Sequence, residues 1–139
     1  MPLIIGFAKA AELARSDLAS RSQRLERLRN RLWEGLKQRQ PTLLLNGDAI
    51  ERLPHNLNIT IPGISGSKLH RALRSRVACS SGSACSRGEP SHVLMALGRS
   101  RQEAEASLRL SLGRSTTEHE IDQAIQAIND VIHQLRHKP

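Results

Sequence analysis

Asn56-Leu57-Asn58-Ile59-Thr60-Ile61, closed by Pro62-Gly63, sets polar and apolar residues in strict alternation. A period of two predicts a half-buried β-strand, and the Pro-Gly pair stops it. The pattern returns at Leu108-Arg109-Leu110-Ser111-Leu112, which predicts a second strand of the same kind. Thr42–Leu45 is a shorter β-prone apolar run, ended by the turn signal Asn46-Gly47-Asp48. These strands need helices to cover one face, and the rest of the chain supplies them.

Upstream, residues 4 to about 39 read as one long helix or two abutting ones. Leu18, Leu25 and Leu32 recur at sevens, Leu28 and Leu36 fill the same stripe, and Pro41 closes it. Downstream, Thr117-x-x-Glu120 is a capping box that opens a helix with Ile121, Ile125, Ile128, Ile132 and Leu135 on one side. Between the strands, Ser65–Arg74 reads as a short helix and Val77–Ser80 as a strand. Pro90 is placed in the first turn of a helix running through Leu97 to a Gly98 cap, and Arg101–Ala106 is a further helical segment. The fold class expected is an α/β (α+β) sandwich, a small sheet flanked by a long N-terminal helix and a C-terminal helix.

Its 139 residues suit one domain, residues 1–139. The net charge of +8 comes from 21 basic and 13 acidic residues. Much of it lies between Lys9 and Arg39, interspersed with Glu12, Asp17, Glu26 and Glu34, so a solvated helical face is favoured over a nucleic-acid surface. Phe7 and Trp33 are the sole aromatics, too few for stacking single-stranded nucleic acid. Two cysteines do not make a disulfide framework, and no run has a signal-peptide layout or membrane-spanning length. The chain is read as cytoplasmic, with reduced thiols.

Chemistry concentrates in Ser81-Gly82-Ser83-Ala84-Cys85, followed by Glu89-Pro90-Ser91-His92. Small neighbours leave the Cys85 thiol room to move and to be reached, which suits a nucleophile or sulfur carrier. Cys79 ends an apolar run and reads as a small core residue; its spacing to Cys85 is not that of a zinc site. Arg109, a cation between strand leucines, offers a planar fork for a carboxylate or phosphate. Arg114 at the strand exit is a weaker candidate. His55, His70, His92, His119, His133 and His137 form no metal-ligand pair and read as solvated or locally bonded imidazoles.

Four segments together resemble the C-terminal part of cysteine desulfurases, fold-type I pyridoxal-phosphate enzymes of the class V aminotransferase group. They are Arg52 to Ile59, Ser80 to Cys85, Glu89-Pro-Ser-His-Val-Leu-x-Ala-Leu-Gly98 and Leu108-Arg-Leu-Ser-Leu-Gly-Arg114-x-Thr-Thr-Glu. Ile4 to Leu13 is similar to the helix that leads into that small domain, so the resemblance covers nearly the whole chain. It implies conversion of L-cysteine to L-alanine, with the sulfur held as a persulfide on Cys85 for transfer to iron–sulfur scaffolds or other acceptors. It makes Arg109 the residue that grips the substrate carboxylate, and it implies a homodimer of full-length chains. The family's long-loop group has more residues after this cysteine than Ser86-Arg87-Gly88 provide.

The same resemblance places the cofactor lysine and the phosphate-binding groups in a large N-terminal domain that precedes this region. Lys9, Lys37, Lys68 and Lys138 match no cofactor-lysine motif. The chain is therefore expected to be a fragment that holds no pyridoxal phosphate and is inactive alone. Two other readings are a non-catalytic persulfide acceptor or modulator of a full-length desulfurase, and, ranked last, a basic nucleic-acid-binding module built on the first helix.

Overall fold

The computed structural model describes residues 1–80 and 89–137. Two helices abut at Asp17: α1 spans Pro2–Ser16 and α2 spans Leu18–Arg39. Then come β1 (Leu44–Leu45), β2 (Asn56–Thr60), α3 (Gly66–Leu73), α4 (His92–Ala96), α5 (Arg101–Glu105), β3 (Ser107–Ser111) and α6 (Glu118–His137). The sheet has the order β1-β2-β3 and is antiparallel throughout. The fold is α+β, a small antiparallel sheet with α2, α3 and α6 packed on one face.

Alternation in β2 and β3 decides which face that is. The register sets Leu57 opposite Leu110 and Ile59 opposite Leu108, and all four side chains are buried. They meet Leu28, Leu32 and Leu36 of α2, Leu69 and Leu73 of α3, and Ile121, Ile125, Ile128, Val131 and Ile132 of α6 in one core. Burying a leucine or isoleucine of this kind is worth about 1.5–3 kcal/mol against leaving it in water.

Helices α2 and α6 run side by side in the same direction. Arg31 meets Asp122 through two parallel hydrogen bonds, Nε to Oδ1 at 2.9 Å and Nη2 to Oδ2 at 2.8 Å. Nine residues on, Gln40 donates to Asn129 at 2.9 Å. The capping box forms as read: the Thr117 N–H donates to Glu120 Oε2 at 2.8 Å, and the Glu120 N–H donates to Thr117 Oγ1 at 3.2 Å.

Four expectations change. Leu18 is 62% exposed, so the α2 stripe begins at Leu25. Arg24 of α2 donates to the carbonyls of Arg114 and Thr116, just ahead of α6, so Leu18 lies beyond the level where α6 begins. Helix α1 buries no residue. Pro90 stands outside α4, because Ser91 is the N-cap, its Oγ accepting from the Leu94 N–H at 3.4 Å. Val77–Ser80 is not a strand. The Arg76 and Val77 amides still bond back to the Leu73 carbonyl, and only Ser80 pairs with the sheet.

Candidate functional site

The second face of the sheet is polar, and it follows from the same alternation. Asn58 and Thr60 of β2 share it with Ser107 and Arg109 of β3, since Asn58 lies opposite Arg109 and Thr60 opposite Ser107. Asn46, just past β1, joins them because its N–H donates to the Asn58 carbonyl at 3.0 Å. Thr60, Ser107 and Asn46 are buried, which requires every polar atom there to find a partner.

Asn46 is the hub. Its Nδ2 donates to Asn58 Oδ1 at 2.8 Å and to Thr60 Oγ1 at 2.9 Å. Thr60 and Ser107 share a hydrogen bond of 2.7 Å, and Ser107 Oγ donates to the Glu103 carbonyl at 2.7 Å. Arg99, in the link between α4 and α5 that Gly98 turns at φ 86°, donates through Nε to Asn46 Oδ1 at 2.6 Å. Its Nη2 donates to the Leu45 carbonyl at 2.8 Å. Sequence reading treated Asn46 only as a turn residue and did not single out Arg99. The available signal was that two facing strands both carried polar residues in alternate positions.

Arg109 stands at the solvent end of this face. Its neighbours Leu108 and Leu110 anchor the strand in the core, which turns its own side chain to the other side, where it is exposed. Among the described residues the Arg109 guanidinium makes no hydrogen bond or ion pair. A fixed cation with open donors on a rigid strand is suited to holding an anion. The main chain of Arg109 is committed elsewhere: its N–H donates to the Ser80 carbonyl at 2.8 Å and its C=O accepts from the Ser80 N–H at 3.1 Å. The segment that carries Cys85 is thus fastened, at its beginning, to the strand that carries Arg109. Cys85 itself lies outside the described residues.

Beside Ser80 a cavity of about 370 Å³ is lined by His70, Arg74, Val77, Ala78, Cys79 and Ser80. Cys79 is half-buried and packs against the core, and burial pushes its thiol pKa up. His70 is half-buried too; burial lowers its pKa against the opposing effect of a hydrogen bond to the Ser107 backbone. Its Nε2 is buried with no hydrogen-bond partner among the described residues. The other sequence candidates are not brought to this face. The Arg114 carbonyl bonds Arg24 at 3.3 Å, the His55 carbonyl accepts from the Leu112 N–H at 2.9 Å, and the His133 and His137 rings lie 4.3 Å apart at the end of α6. His92 and His119 are exposed.

Residues 1–124 match the family model described as aminotransferase class-V. The chain is 45% identical over 135 residues to "Cysteine desulfurase IscS" of Shewanella baltica, covering 96% of this chain and 33% of that protein. It is 44% identical over 135 residues to the protein of the same name from Methylococcus capsulatus, with the same coverage. The chain therefore spans about a third of the length of the curated relatives it matches. Among solved structures, a "NifS-like protein" superposes with a TM-score of 0.80 at 29% identity, over 95% of this chain and 33% of that one. A NifS-like protein from Rickettsia africae gives the same TM-score, 0.80, at 26% identity over 92% of this chain and 33% of that one.

Proposed function

The chain belongs to the class-V aminotransferase family, and from that premise we propose that it is the C-terminal small domain of a pyridoxal-phosphate-dependent cysteine desulfurase. In this reading Arg109 holds the carboxylate of L-cysteine. Cys85 accepts its sulfur as a persulfide, leaving L-alanine, and passes the sulfur to an acceptor such as an iron–sulfur scaffold. The observation that carries it is Arg109: exposed, unpaired among the described residues, and backbone-paired to Ser80, five residues before Cys85.

The physical division of labour supports the assignment. Carboxylate capture needs a cation that cannot titrate away and does not move, which a mid-strand arginine provides. Sulfur transfer needs a thiolate with room to reach first the substrate and then the acceptor, which suits a run of small residues. The family implies pyridoxal phosphate, which must be held by a lysine amine free to react. Lys37 Nζ instead donates to the Pro41 and Leu43 carbonyls at 2.7 and 2.8 Å. Lys9 pairs with Glu12 at 3.0 Å on α1, and Lys68 is exposed on α3. The reading assigns the cofactor to a part of the protein beyond this chain.

A chimera tests the proposal. This chain replaces the matching third of the Shewanella baltica desulfurase, and sulfide release from L-cysteine is measured. An active chimera that loses release on Cys85→Ala and gains a much higher KM on Arg109→Ala is the expected result. Release unchanged by Cys85→Ala would overturn the role given to that thiol.

A further inference from the structure

We propose that Asn58 supplies a second hydrogen-bond donor to the carboxylate site at Arg109, and that Arg99 sets the direction of that donor through Asn46. The inference rests on the reading of Arg109 as a carboxylate holder, and it names a determinant of that site.

Each amide has one donating and one accepting end, and its partners fix which way it faces. A guanidinium only donates, so the Asn46 atom that Arg99 Nε meets at 2.6 Å is the carbonyl oxygen. The Asn46 amide nitrogen must then face the other way. It donates to Asn58 at 2.8 Å, so the Asn58 atom that receives it is Oδ1. One orientation follows from the other, and the Asn58 NH₂ is left turned away from the network. Among the described residues that nitrogen has no hydrogen-bond partner, nor is it among the buried polar atoms that lack one.

Register puts this open donor beside Arg109. Asn58 and Arg109 are direct cross-strand partners, so their side chains rise from the same face. Because the Arg109 N–H and C=O both bond Ser80 on the far side, the pair with Asn58 is of the non-hydrogen-bonded kind. Such pairs bring their Cα atoms to about 4.5 Å and their side chains closest. A carboxylate has two oxygens and about four lone-pair sites. The arginine fork takes two of these sites, and the Asn58 N–H is placed for a third. If Asn58 only had to accept from Asn46, a side chain with an acceptor and no donor would serve as well. The amide is what adds the open N–H.

The test titrates the isotope-labelled chain with L-alanine and follows the Asn58 side-chain NH₂ and Arg109 Nε–H resonances. The expected result is that both shift along one binding curve, while L-alaninamide, which lacks the carboxylate, shifts neither. Asn58→Ala, which leaves Asn46 Nδ2 its bond to Thr60, should weaken L-alanine about tenfold, the effect of one hydrogen bond to a charged group. Arg99→Met should weaken it severalfold without touching the ligand. A shift at Arg109 alone, with affinity unchanged in Asn58→Ala, would overturn the inference and leave the Arg109 reading standing. An affinity unchanged in Arg99→Met, with the rest of the spectrum intact, would overturn the part given to Arg99. No shift at either resonance would overturn the carboxylate site itself.

Discussion

A Cβ on residue 66 would lie 2.0 Å from the carbonyl oxygen of Glu105. Gly66 therefore lets the start of α3 rest directly on the backbone at the end of α5, and neither partner is a flexible side chain that can give way. Gly66→Ala should lower stability by about 3 kcal/mol, the upper range for overpacking. Gly6→Ala, where nothing lies within 4 Å of the added carbon, should not destabilise at all. Thermal melts of the two variants check this; a Gly66→Ala protein that melts with the wild type would contradict the contact.

His70 gives folding a pH dependence of defined sign. Burial holds its folded-state pKa below the ordinary 6.5. The unfolded state therefore binds the proton more readily, and the contribution is whole above 6.5 and lost as pH falls through the lower folded value. Urea melts should show stability declining as pH drops below about 6.5. His70→Gln should flatten that decline, and an unchanged slope would remove His70 as its source.

The two thiols should differ in rate. Burial raises the Cys79 pKa, so little thiolate is present at neutral pH, and the thiolate is the reacting form. Timed alkylation with peptide mass mapping should label Cys85 first. Faster labelling of Cys79 would take away the ground for assigning the persulfide to Cys85.

Local pattern made much of this legible. Alternation announced β2 and β3, the isoleucine stripe and capping box announced α6, and the same alternation turned Arg109 to the polar face. What the pattern did not carry was the partner of each surface. Leu18 has the same heptad phase as Leu25, yet one is exposed and the other buried, because only the second has α6 beside it. Asn46 looks like any turn asparagine until the strands pair, and its role comes from Asn58 and Arg99, distant in sequence and adjacent in space. The Val77–Ser80 run failed as a strand because α3 keeps its last carbonyl occupied through Val77, a competition that side-chain composition does not reveal.

The β2–β3 register joins Asn56 to Ser111, and α2 packs on α6 from the far end of the sequence in the same core. Few of the pairings that close the core are local in the chain. During synthesis α6 leaves the ribosome after every other element of the domain. Until then the leucine stripe of α2 and the apolar face of β2 lack the isoleucine face of α6 that completes the core. A nascent chain stalled before Glu118 should therefore present its future core to chaperones.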